Sequence, residues 1–283
     1  MKIATWNLLH GMAIPPASDS AEPNSEQAHN DALARLESAV TTLGVDVLGI
    51  QEIDLNQPRS SMAHHVQEIA ESMKTAHWAF APGIIGTPGE QWRGIESESE
   101  KIITASNNSL TERAYGIGLI SRIPVVQWHR LELGRSRVGL PLAVPRKRGV
   151  GLAYVQDEPR VALAAQLENG FTVAVTHLSF VPFVNYFQLK KIQKWMEKIP
   201  GTPIIMGDLN LPWNIPTKTG WKSLIEKRSY PSWDPKIQFD YLLMQQGDST
   251  DSSVNELHFP PLGVSDHLPV GVELEIKPAQ SQR

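Results

Sequence analysis

The sequence predicts a sheet-rich α/β sandwich with helices on its outer faces. Two observations lead there: β-type runs recur along nearly the whole chain, and segments with helical periodicity interrupt them instead of forming a separate block. A third sets the scale, because 283 residues with 41% hydrophobic and 20% charged content suit a globular chain with a large core. One domain over residues 1–276 and a flexible tail at 277–283, KPAQSQR, is the expected organisation.

In chain order, β-type runs fall at residues 2–9, 45–53, 76–81, 116–121, 125–133, 161–167, 171–177, 203–206, 239–244, 254–258 and 269–276. The first helical stripe is Leu33, Leu36, Val40 and Leu43, with Asn24-Ser25 as a plausible cap upstream. The second is Val66, Ile69, Ala70 and Met73; the third, Leu189, Ile192, Met196 and Ile199, stops at Pro200-Gly201. Between 83 and 112 the Gly, Pro and acidic content reads as a long loop. In VALAAQLENGFTVAV, Asn169-Gly170 suits a type I′ turn between two alternating strands.

Composition narrows the chemistry. A net charge of −4, from 26 Lys+Arg against 30 Asp+Glu, argues against a surface coated in positive charge for nucleic acid, although a local basic patch remains open. With no cysteine, neither a disulfide framework nor a thiolate metal site can form, so hard cations on oxygen or imidazole ligands are favoured. No run reaches the ~20 apolar residues that span a bilayer, and the N-terminus lacks a signal-peptide pattern. A cytoplasmic monomer is expected; a trimmed secreted chain would share these features.

Polar residues able to bind metal or move protons sit where β-type runs end: Asn7, Glu52, His177, Asp208 with Asn210, and Asp266-His267. A rigid strand positions its terminal side chain while the adjoining loop opens a cleft. Each residue alone has an ordinary explanation. Glu52 can be a solvent-facing carboxylate, Asn7 a turn former, Gly207-Asp208 a simple turn and His177 a core histidine. Together they suit hydrolysis: Glu52 offers the anionic oxygen that Mg²⁺ prefers, with Asn7 orienting it. Asp208 and Asn210 can align water and hold an anion, and Asp266-His267 pairs a ligand with a group titrating near neutrality. Asp240, inside the apolar run QFDYLL, needs a partner if buried, and His267 is the natural one.

The motifs TWNLLHG, LGIQEID, YGIGLISR, VTHLS, MGDLN, QFDYLL and SDHLPV stand in the order seen in the endonuclease/exonuclease/phosphatase superfamily, which the chain resembles over nearly its whole length. That superfamily includes deoxyribonucleases, abasic-site endonucleases, neutral sphingomyelinases and inositol polyphosphate phosphatases. The resemblance implies a four-layer sandwich of two packed mixed β-sheets with helices outside, and Mg²⁺-dependent phosphoester hydrolysis, with Mn²⁺ as a substitute. By the same resemblance, Glu52, Asn7 and Asp266 hold metal, and Asp208 and Asn210 orient water and phosphate. Asp240 and His267 form a coupled pair, His177 and Tyr115 stand beside the scissile phosphate, and Arg160 faces substrate.

One basic stretch, containing Arg135, Arg137, Arg146, Lys147 and Arg148 without a carboxylate, reads as a long hairpin or loop able to clamp a polyanion, or as a solvated surface. A nuclease-like phosphodiesterase is the first expectation. A phosphatase or phospholipase-type enzyme acting on an inositol phosphate or phospholipid is the second, and an inactive scaffold of the same fold the third.

Overall fold

The computed structural model describes residues 1–14, 26–145, 150–245 and 253–275. Strands follow in the order β1 (Lys2–Asn7), β2 (Val47–Leu55), β3 (His77–Gly86), β4 (Trp92–Arg93), β5 (Ile103–Thr104), β6 (Ala114–Ser121), β7 (Val125–Gly134) and β8 (Leu140–Pro145). Then come β9 (Val150–Val155), β10 (Arg160–Leu167), β11 (Phe171–His177), β12 (Thr202–Asp208), β13 (Trp221–Ser223), β14 (Asp240–Gln245), β15 (Val254–Leu257) and β16 (Val270–Leu274). The helices are α1 (Glu26–Leu43), α2 (His65–Ser72), the single turn α3 (Glu98–Lys101) and α4 (Val184–Met196).

One sheet runs β15-β16-β1-β2-β6-β3-β4, with β5 paired to β3; a second runs β13-β14-β12-β11-β10-β7; β8 and β9 form a separate hairpin. Each large sheet is mixed, with one parallel pair, β1–β2 and β11–β12, among antiparallel neighbours. Alternation along the strands builds the layers. On β10, Val161, Leu163 and Ala165 join Val47, Ala79 and Leu119 of the other sheet in a central core, whereas Ala162 and Ala164 face Leu189, Ile192 and Met196 of α4. On the far side, Ala4, Trp6 and Leu48 pack against Leu36 and Val40 of α1 and Ile69 of α2. Helix, sheet, sheet, helix is therefore the layer order.

Three local expectations need correction. Residues 83–112 are not a plain loop: β3 continues through Gly86, and β4, α3 and β5 follow, with Ser97 and Glu100 closing a capping box on α3. The 167–171 hairpin is present, yet of Asn169-Gly170 only Gly170 takes positive φ, 86°. Leu167 O accepts from Gly170 N–H, so the bend is a type I turn completed by a left-handed glycine. Helix α4 stops at Met196, before Pro200. The cap at Asn24-Ser25 and the tail 277–283 lie outside the described residues. Among the described residues no helix is long and apolar enough to cross a membrane, which leaves strands unaddressed.

Candidate active site

The carboxyl ends of the two parallel strand pairs meet. In the second sheet His177 is in register with Asp208, and Asp208 with Asp240, so three polar side chains stand abreast on three adjacent strands. Gly207 makes this possible: its φ is 138°, and a Cβ there would lie 1.9 Å from Thr176 O. In the first sheet β2 carries a bulge, Ile50 pairing with Gly118 but Ile53 with Gly116, so that Gln51 and Glu52 oppose one residue. Glu52 takes left-handed φ, 54°, and its Oε1 accepts from Asn7 Nδ2 of the paired strand β1.

Asn7 joins the halves. Its Nδ2 donates to Glu52 Oε1 at 2.9 Å and to Asp208 Oδ2 at 3.1 Å, and its Oδ1 accepts from Leu9 N–H. Asp208 Oδ1 accepts from Asn210 N–H at 2.9 Å, while His177 Nε2 and His267 Nε2 stand 3.6 and 3.7 Å from its Oδ2. Asn210 Nδ2 donates to Leu178 O and lies 3.2 Å from His177 Nε2. Nδ1 of His267 donates to Asp240 Oδ2 at 2.8 Å, and Ser229 Oγ donates to the same oxygen at 2.5 Å. Among the described residues the other oxygen of buried Asp240 has no hydrogen-bond partner. Ser265, itself at positive φ, fixes the last loop: its Oγ donates to Asn7 O and accepts from His267 N–H.

Electrostatics separate the two histidines. Burial lowers the His177 pKa well below the usual value, and nearby Arg160 and His267 add to that, so the ring is neutral. Burial also opposes charge on His267, but the Asp240 carboxylate and its hydrogen bond, then Asp208 and Asp266, outweigh it and raise the pKa to about 10. Burial, with Asp240 adding repulsion, raises Asp208 to about 7 against the pull of His267. Half-buried Glu52 is raised chiefly by burial, with Asp266 adding to the shift and Asn7 opposing it.

Tyr115 and Arg160 line a small cleft with Gly83, Glu158 and His177. Arg160 is 3.4 Å from Asp157 Oδ1. Burial raises the Tyr115 hydroxyl well above its ordinary range, with Glu52 and Glu158 contributing. Ten expected residues, Asn7, Glu52, Tyr115, Arg160, His177, Asp208, Asn210, Asp240, Asp266 and His267, thus fall at one centre. Arg135 lies outside it, over the Trp92 ring at 5.1 Å, and Arg137 is exposed. Arg146, Lys147 and Arg148 lie outside the described residues.

Sequence reasoning missed Ser229, Ser265, Glu158 and Arg59. Arg59 makes a two-pronged bond to Asp54, at 2.8 and 2.9 Å, and lies 5.5 Å over the Tyr115 ring. Asp54 carried a usable signal, a carboxylate in an apolar strand that needs a partner.

Asp208, Asp240 and His267 each place one ligand atom within 4.8 Å of the others, a group that could hold a metal. The two-sheet sandwich, with carboxylates and histidines gathered at its strand ends, belongs to the class of layered α/β folds. Residues 4–267 match the model of the Endonuclease/Exonuclease/phosphatase family, and the chain belongs to that family of phosphoester hydrolases. Among solved structures it is similar to an endonuclease/exonuclease/phosphatase family protein from Bacteroides thetaiotaomicron, with 13% identity, TM-score 0.56 and 97% of each chain covered. The mannosyl-6-phosphatase Bt3783 of the same organism gives 14% identity and TM-score 0.53 over 98% of this chain and 100% of that one. The human Nocturnin catalytic domain, with bound sulfate, gives 14% and 0.53 over 98% and 94%. At such identities the likeness establishes the fold. Among curated proteins none matches.

Proposed function

We propose that this chain is a divalent-metal-dependent phosphodiesterase of nuclease type. The observation that carries the reading is the register-matched row His177, Asp208 and Asp240, completed by His267 and tied through Asn7 to Glu52. The residues present fit a hard cation. Glu52 and Asp266 are half-buried carboxylates, and the charge of Asp266 raises the pKa of Glu52, a repulsion that a cation would relieve. We assign the cation to Glu52 and Asp266, with Asn7 beside them. The Asp208, Asp240 and His267 group is a weaker candidate, because a charged His267 already supplies the cation between those carboxylates. A cation held by Glu52 and Asp266, Mg²⁺ or Mn²⁺, would supply Lewis-acid neutralisation of phosphoryl oxygens.

The chain's own groups then divide the work. Asp208, with its pKa near neutrality, takes the proton of the attacking water. Imidazolium His267, held by Asp240, stabilises developing negative charge. Neutral His177, Asn210 and Arg160 orient the phosphoryl oxygens, and Tyr115 flanks them. Opposite shifts on the two histidines keep one ring neutral and the other charged on either side of one carboxylate, matching these separate roles. A diester, with one negative charge, suits this carboxylate-rich centre better than a dianionic monoester.

A substrate panel tests the reading: plasmid DNA, structured RNA, an abasic duplex, sphingomyelin and inositol phosphates, each with Mg²⁺, Mn²⁺ or EDTA. Metal-dependent cleavage of a nucleic acid is expected. Turnover confined to sphingomyelin or inositol phosphates would replace the nuclease assignment, and no metal-dependent turnover at all would end the enzyme reading.

A further inference from the structure

Beside the cleft lies a groove of about 1190 Å³ whose lining includes Ile85, Trp92, Arg113, Arg135 and Gln156. The same three segments build both spaces. Gly83, Tyr115 and Glu158 line the cleft, whereas Ile85, Arg113 and Gln156, each two residues away in sequence, line the groove. Two residues of extended chain span about 7 Å, so the groove and the cleft are neighbours along the same three segments. Buried Asp157 ties the two together. One of its oxygens meets Arg160 at 3.4 Å; the other accepts from Ser136 N–H at 2.7 Å, next to Arg135, and from Ser179 Oγ at 2.8 Å.

The groove's charge is not self-cancelling. Arg93 is held by Glu100 and Glu112. Among the described residues neither Arg113 nor Arg135 has a carboxylate partner, and Glu90 is the remaining acid of the lining. Arg135 lies over Trp92, an arrangement that fixes a guanidinium while leaving its in-plane N–H donors free for phosphate.

We infer that this groove is an anion subsite for the neighbouring phosphate of a nucleic-acid strand, read by Arg113 and Arg135. The inference rests on the phosphodiesterase reading above and names its substrate class: a single phosphodiester would leave the groove empty, whereas an oligonucleotide fills it. Arg113 is exposed and without an ion pair, so its replacement threatens no fold.

The experiment compares wild type with Arg113→Ala, Arg135→Ala and the double variant on bis(p-nitrophenyl) phosphate and on a single-stranded hexanucleotide, with Mn²⁺. The ratio of kcat/KM for hexanucleotide over small diester is expected to fall at least tenfold in the double variant. A second readout needs no turnover: anisotropy of a labelled hexanucleotide in EDTA, titrated with salt. Each arginine removed should flatten the slope of log K against log salt by about 0.7. An unchanged slope, or equal losses on both substrates, would overturn the subsite. If wild type hydrolyses neither compound nor any nucleic acid of the substrate panel the phosphodiesterase reading fails, and the anisotropy slopes still decide the groove.

Discussion

Asp208 has His177 on one side, His267 on the other and Asn7 behind it, so every hypothesis about proton movement passes through its carboxylate. Asp208→Asn keeps the shape and the Asn210 N–H contact but removes the base. The kcat is expected to fall by a factor of about 10²–10⁴ with an unchanged circular dichroism spectrum; a variant of near-normal kcat would remove the role assigned here. The same groups set a pH dependence. Asp208, raised to about 7 chiefly by burial, binds its proton more readily folded than unfolded, so its ionisation weakens the fold as pH climbs from its ordinary value toward 7. His267, raised to about 10, contributes stability that is full below its ordinary 6.5 and is lost as pH rises through 10. Both signs agree, whereas His177, His10 and His65, whose pKa values burial lowers, gain stability as pH rises through 6.5; the metal-free protein is therefore expected to weaken above about pH 8, toward the pH at which His267 loses its proton. Glu52 and Asp266, also raised chiefly by burial, must be ionised to hold a cation. The Tm gain from Mg²⁺ should therefore be larger at pH 8 than at pH 5, nearer the ordinary carboxylate range, and equal gains would contradict the assigned ligands.

At the scale of elements, the devices that aim the side chains are backbone devices. Gly207 lets Asp208 reach register with both neighbours, and the bulge of β2 sets Glu52 against Asn7. Gly207→Ala brings a Cβ against Thr176 O in a positive-φ position, and we expect a loss of at least about 2 kcal/mol in denaturant unfolding. The kcat should fall in the residual folded enzyme; an alanine variant of unchanged stability would show the close approach to be unimportant. These devices also mark how far the sequence was legible. Strands such as β11 could be read residue for residue, because alternation and a Gly-bearing turn bound them. β4, β5 and β13, two or three residues long, offer no period to read. The turn α3 was announced by Ser97 and Glu100 and was passed over inside an acidic run. Strand-end polar residues exposed most of the centre, since chemistry there contradicts the apolar pattern around it. Ser229 and Arg59 stayed hidden, because only tertiary packing brings them to Asp240 and Tyr115.

Across the whole molecule, the centre is a seam. Asn7 belongs to one sheet and bonds a carboxylate of the other, while Trp6 Nε1 donates to His267 O and Ser265 Oγ to Asn7 O, above a core in which the two sheets interdigitate. A chain of net charge −4 has thus gathered Glu52, Asp208, Asp240 and Asp266 where its two halves join. Such a centre repels an anionic substrate until a cation, Arg160 and the groove arginines reverse the local field. It also loads the seam with charge that opposes folding, as expected where function is held at the expense of stability. Glu52→Gln separates the two effects. Its amide oxygen can still accept from Asn7 Nδ2, but the buried charge and its repulsion from Asp266 are gone. In EDTA at pH 8 the variant is expected to gain on the order of 1 kcal/mol, a Tm rise of roughly 2 °C for a chain of this size, while its turnover and its stabilisation by Mg²⁺ are both lost. Calorimetry with and without Mg²⁺ reads both. A variant that melts lower than wild type in EDTA would mean that Glu52 stabilises the seam, and one that keeps the Mg²⁺ gain would move the cation away from Glu52.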